Sequence, residues 1–189
     1  VNKSEARAHF IKLRKALSET QLKEADLAIL AHFKTLSFSG IKHLHIFLPI
    51  ADKNEVSTLL LIDWLRKKHP AIGLVLSKSD IKQQTLQHFI WDEQTTLQTN
   101  QWGITEPTDG LRVEEKELDM ILIPLLAYDT QGNRVGYGKG FYDRFLAKCK
   151  PSVQKVGLSY FEPLDIIAGA DSFDVKLNAC INPEKIWRF

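Results

Sequence analysis

The chain has 189 residues, 44% apolar and 25% charged, with a formal net charge of +2. That length and composition suit one folded domain spanning 1–189 and exclude a disordered chain. The small charge gives no general case for nucleic acid, and no apolar run reaches the about 20 residues that cross a bilayer.

In chain order, Lys3 to Leu17 places Ala6, Phe10, Leu13 and Leu17 on one helical face. Ser18 and Gln21 form a capping-box pattern that starts a second helix through Leu22, Leu27 and Leu30. His43 to Leu48 reads as a buried strand ended by Pro49, and Glu55 to Lys68 as a helix before Pro70. Further strands are predicted at Ile72 to Leu76 and Leu86 to Trp91, with a loop-rich stretch from Asp92 to Glu117. Asp119 to Leu126 is the strongest buried strand, and a helix is predicted from Phe141 to Lys150. Val153 to Tyr160 and Val175 to Ile181 are the last predicted strands. Helices alternating with near-continuous apolar strands indicate an α/β protein whose sheet is covered on both faces.

The start, Val1 to Arg7, is polar and has no secretory signal core, so a cytoplasmic protein is expected. Cys149 and Cys180 lack metal-ligand spacing and read as reduced structural thiols.

Between a buried strand and a helix lies Gly132-Asn133-Arg134-Val135-Gly136-Tyr137-Gly138-Lys139-Gly140-Phe141-Tyr142-Asp143-Arg144. Ligands bind at such strand-to-helix turns in open α/β sheets. Alternate glycines are expected to take positive φ and let amides converge on an anion, beside the charges of Arg134 and Lys139 and the helix N-terminus. The segment is neither a P-loop, since Gly140 follows the Gly-Lys pair, nor a dinucleotide fingerprint, since Phe141 replaces the last glycine. Asp143 reads either as a Mg²⁺ ligand or as an acid that offsets the helix dipole and pairs with a nearby Arg. Taken alone, Lys3 and Arg7 are a solvated helix face and Glu55 a first-turn acid. Asp174 alone is a loop acid, and Trp102 core or lid packing.

Asp119 to Asp129, Gly132 and Arg134 to Leu146 together resemble the signature of the 5-formyltetrahydrofolate cyclo-ligase family. Lys3 and Arg7, Glu55-Val56-Ser57-Thr58, Trp102 to Pro107 and Phe173 to Leu177 match further family elements in order. Phe173 stands where many members have His, Ser57 where an acid is common, and Ala179 to Asn182 where Thr-Glu is usual. The resemblance implies a three-layer α/β/α sandwich with a mostly parallel sheet, of the sugar-phosphate isomerase and CoA-transferase class. It implies ATP- and Mg²⁺-dependent cyclisation of 5-formyltetrahydrofolate to 5,10-methenyltetrahydrofolate by a monomer, without nucleic-acid or membrane partners.

By the same resemblance Lys3, Arg7 and residues Arg134 to Tyr142 (Val135, Gly136, Tyr137, Gly138, Lys139, Gly140 and Phe141 between them) hold ATP. Ile50, Glu55, Trp102 and the segment from Tyr137 to Phe141 meet the folate, Asp143 and Asp174 bind the metal, and Lys139, Arg134 and Tyr142 are catalytic. Two other readings stand beside this one. One is a sugar-phosphate isomerase of similar fold; the other is a nucleic-acid face made of Lys12, Arg14, Lys15, Lys139 and Arg144.

Overall fold

The computed structural model describes residues 1–169 and 173–189. Helix α1 (Lys3–Lys15) starts at a capping box in which the Asn2 side chain accepts from the Ser4 and Glu5 amides. Helix α2 (Glu19–Phe33) starts at the predicted box, with the Gln21 amide on Ser18 Oγ at 3.2 Å and the Ser18 amide on Gln21 Oε1 at 2.9 Å. Strand β1 (His43–His45), helix α3 (Leu59–Lys68), and strands β2 (Gly73–Asp80) and β3 (Thr85–Ile90) follow. The stretch expected to be loop holds short strands β4 (Leu97–Thr99), β5 (Thr105–Pro107) and β6 (Arg112–Val113). Then come β7 (Met120–Pro124), the small hairpin β8 (Ala127–Tyr128) with β9 (Arg134–Val135), and α4 (Phe141–Leu146). Strands β10 (Gln154–Leu158), β11 (Ala179–Ile181) and β12 (Ile186–Arg188) complete the chain.

The main sheet has eight strands in the order β12-β11-β10-β7-β1-β2-β3-β6. Its centre, from β11 to β2, is parallel, and β12, β3 and β6 join antiparallel at the edges. Side chains along β7 alternate between faces. Met120 and Leu122 pack with Ile29 and Phe33 of α2 and Leu61 and Leu65 of α3. Ile121 and Ile123 pack on the other face with Phe145 and Leu146 of α4. The result is the expected α/β/α layering. Cys149 and Cys180 are both free thiols.

Several expectations from sequence are corrected, and on α1 and α2 the reason is that a polar side chain with fixed partners displaces an apolar one. On α1 the inward residue after Phe10 is Arg14, and Leu13 is exposed. On α2 Asp26 turns inward and Leu27 is exposed. Asp26 accepts from Tyr160 Oη at 2.8 Å and from the Ser57 amide at 3.0 Å. Helix α3 begins at Leu59 rather than Glu55, because Glu55 and Thr58 are committed to partners outside the helix. Strand β2 runs on to Asp80, since its polar half pairs with β3. Strand β11 begins at Ala179 rather than Val175.

The hairpin β8–β9 carries the chain from the sheet into the glycine segment, and α1 covers it through Ala6 and Phe10 on Leu126, Ala127 and Val135. Buried Asp129 holds the turn. Its oxygens accept from the Gln131, Asn133 and Ile167 amides and from Asn133 Nδ2, all at 2.8–3.0 Å. Asp129→Ala orphans these donors and is expected to cost about 3 kcal/mol or more, read by urea denaturation. A loss below about 0.5 kcal/mol would show that the turn does not depend on this carboxylate.

Candidate active site

The glycine segment leaves the hairpin at the carboxyl end of the parallel strands and runs over the sheet into α4. Gly138 has φ +90°, a backbone conformation that favours glycine, and a Cβ there would lie 3.1 Å from the flexible Arg7 guanidinium. Gly140 also has positive φ, but Gly136 does not; a Cβ on it would meet nothing within 4 Å. The alternate-glycine rule therefore fails at Gly136. Helix α4 is six residues long, too short to add much dipole field, so charge at this end comes from side chains.

Arg7 donates from Nε to the Gly136 carbonyl at 3.0 Å and ties α1 to the segment. Arg134 donates to the Val175 carbonyl and from Nη2 to Asp143 Oδ1 at 2.6 Å. The same Asp143 oxygen takes the Val175 amide at 3.3 Å, which draws the neighbouring Asp174 to this end. Asp174 lies 2.5 Å from Lys3 Nζ. Of the two readings of Asp143, pairing with an arginine is thus observed. Its Oδ2 has no hydrogen-bond partner among the described residues, and both Asp143 and Asp174 line the cavity. Two carboxylates beside an anion site are the donor set that Mg²⁺ takes together with phosphate oxygens.

The cavity has a volume of about 440 Å³, within the range of small-molecule sites. Every site residue expected from sequence lines it: Lys3, Arg7, Ile50, Glu55, Trp102, the run Arg134 to Asp143, and Asp174. Among the described residues, Arg7, Lys53 and Lys139 have no carboxylate within ion-pair distance. Lys139 is exposed, with Nζ 5.6 Å from the Trp102 ring across the mouth. Away from the cations the wall is apolar, with Ile46, Leu48, Leu76 and Ile104.

Buried Glu55 sits in this wall. Its Oε2 accepts the Ile50 amide at 2.8 Å and its Oε1 accepts Tyr137 Oη at 2.7 Å. It is not a first-turn acid, because it lies ahead of α3. Burial, with the charge of Glu55, pushes the Tyr137 phenol up, and burial does the same to Tyr142. Both phenols are held in the protonated form at neutral pH.

Sequence reasoning missed three features here. Lys53 lies with Nζ 4.4 Å above the Tyr137 ring and had no motif to mark it. Arg14, read as part of a basic face, is buried beneath Tyr137. Arg144, read as part of the same face, donates to the Gln84 and Lys139 carbonyls.

A further feature that sequence reasoning missed is a chain of neighbours on β1, β2 and β3. His45 Nε2 and His88 Nδ1 each lie 2.8 Å from Ser77 Oγ. Desolvation lowers His45 to about 3 and His88 to about 4, below the ordinary 6.5. Between pH 6.5 and these values the unfolded chain binds more protons, so stability falls as pH falls. From pH 6.5 to 5 the expected loss is about 2 kcal/mol per histidine. Urea melts at pH 7 and pH 5 read it, and His88→Asn should flatten the slope; equal slopes in both proteins would contradict it.

One cavity on a largely parallel sheet brings together the cations Lys3, Arg7, Lys53, Arg134 and Lys139, buried Glu55 and apolar side chains. These features define an α/β protein with a small-molecule-sized site of mixed charged and apolar lining. A model of the 5-formyltetrahydrofolate cyclo-ligase family matches residues 1–175. A 5-formyltetrahydrofolate cyclo-ligase of Mycoplasma pneumoniae is 30% identical over 195 residues, covering 97% of this chain and 100% of the relative. A probable 5-formyltetrahydrofolate cyclo-ligase of Schizosaccharomyces pombe is 30% identical over 150 residues, 72% of each chain. The solved 5,10-methenyltetrahydrofolate synthetase of Aquifex aeolicus superposes with TM-score 0.81 at 28% identity, covering 98% of this chain and 92% of that one. That of Mycoplasma pneumoniae gives 0.78 at 26% identity, over 97% and 100%. The chain belongs to the 5-formyltetrahydrofolate cyclo-ligase family and is an enzyme, a ligase. No helix among the described residues is long and apolar enough to cross a membrane.

Proposed function

We propose that this enzyme converts 5-formyltetrahydrofolate and ATP to 5,10-methenyltetrahydrofolate, ADP and phosphate, as a cytoplasmic monomer. The observation that carries the reading is the single cavity joining the cations Arg7 and Lys139 to buried Glu55. A carboxylate offers about four lone-pair sites, and protein donors occupy two of those on Glu55. The remaining sites suit the donor-rich edge of a pterin, with Ile50 and Trp102 against its flat faces.

The formyl oxygen takes the γ-phosphoryl group of ATP, N10 attacks the activated carbon, and phosphate departs as the methenyl bridge forms. The protein's task is to position the reactants and stabilise charge. Lys3, Arg7, Arg134 and Lys139 neutralise the phosphates, and the backbone from Val135 to Phe141 lies along them. Tyr142 lends a protonated phenol to the cavity wall near the reacting groups. Asp143 and Asp174 would hold Mg²⁺, which would neutralise phosphate charge. The deciding assay supplies Mg-ATP and 5-formyltetrahydrofolate and follows the absorbance of the methenyl product. Absence of product would overturn the reading.

A further inference from the structure

Residues 3, 7 and 14 of α1 fall within about 40° of one another around the helix axis. Each grips a different part of the site. Lys3 reaches Asp174, and Arg7 the Gly136 carbonyl. Arg14 donates from Nη1 to Tyr137 Oη at 3.1 Å and from Nη2 to the Leu125 carbonyl. Among the described residues its guanidinium has no carboxylate within ion-pair distance, and it connects to Glu55 through the Tyr137 hydroxyl. The carbonyl of Arg14 also accepts from Asn54 Nδ2 at 3.2 Å, which fastens the segment just before Glu55 to the same helix.

A buried cation costs several kcal/mol to desolvate unless it is paired, so this placement needs a reason. Arginine has donors only, and the N–H on the Tyr137 oxygen occupies that oxygen as an acceptor. The phenolic proton is thereby directed to Glu55 Oε1. We infer that Arg14 is a positioning residue for the folate half of the site. Acting through Tyr137, it fixes the orientation of the Glu55 carboxylate, and it ties that orientation to the helix that holds the phosphate half. The assignment rests on the cyclo-ligase reading of Glu55.

Steady-state kinetics with each substrate varied test it, in Arg14→Met, Tyr137→Phe and the double variant. Tyr137→Phe keeps the ring under Lys53 and removes only the hydroxyl. Each single variant is expected to raise the KM for 5-formyltetrahydrofolate about 10-fold and to change the KM for ATP less than about 2-fold. Because the two residues act in series, the double variant should be no worse than the singles. Additive effects near 100-fold, a parallel rise of both KM values, or an unchanged folate KM would each overturn the assignment. A merely structural role lowers the amount of active enzyme, which reduces Vmax and leaves both KM values alone. If Arg14→Met does not fold, Arg14→Lys replaces it in the cycle. A lysine keeps the cation but cannot reach Tyr137 and Leu125 together, so a smaller rise confined to folate is then expected. Wild-type enzyme without turnover overturns the proposed reaction; turnover with unaltered folate KM in the variants overturns only the role of Arg14.

Discussion

Lys139→Ala is expected to lower kcat/KM for ATP by about 10³-fold while leaving the thermal midpoint within about 2 °C of wild type. The two halves of that expectation have separate causes. Lys139 is exposed and has no carboxylate within ion-pair distance among the described residues, so its removal strands no buried charge. Its one aromatic neighbour, Trp102, is itself 41% exposed and loses only a weak cation–π contact. The ammonium nevertheless lines the cavity, and of the other cations there Lys53 is held over the Tyr137 ring and Lys3 against Asp174. Arg134 is engaged with Asp143 and Val175, and Arg7 with Gly136. Initial rates with ATP varied at saturating folate decide the matter; unchanged kinetics would remove the phosphate role.

Asp143→Asn is expected to depress turnover about 10²-fold and to raise the half-saturating Mg²⁺ concentration about 10-fold. The substitution keeps size and shape but deletes the charge that Arg134 meets at 2.6 Å. If Asp143 serves only to hold Arg134, the variant should raise the KM for ATP and leave the Mg²⁺ requirement unaltered. A magnesium titration at fixed, saturating substrates separates the two outcomes. Asp174→Asn should resemble Asp143→Asn in this titration, because both carboxylates border the same end of the cavity.

The layered fold was legible because its signals are local. Met120 to Ile123 is buried on both faces and is apolar throughout, and the Ser18–Gln21 box marks where α2 starts. The glycine segment was legible for the same reason, since contiguous residues carry its shape and charge. Where the expectation failed, long-range hydrogen bonds had overridden a local pattern. Leu13 fits the apolar stripe of α1 better than Arg14 does, yet Arg14 is inside because Leu125 and Tyr137 supply acceptors that no helical periodicity encodes.

By itself, then, the sequence determined the parallel core and the set of residues that line the cavity. Only the tertiary structure decided how those residues are paired. It placed Glu55 ahead of α3, between the Ile50 amide and Tyr137, when its position near a helix start suggested a dipole-offsetting acid. It gave Asp143 to Arg134 and Asp174 to Lys3, and it joined His45, Ser77 and His88 across three strands. A carboxylate or an imidazole carries the same letter in every context. Its partners, and hence its charge state and orientation, are set by groups far away in the chain that meet only when the sheet has closed.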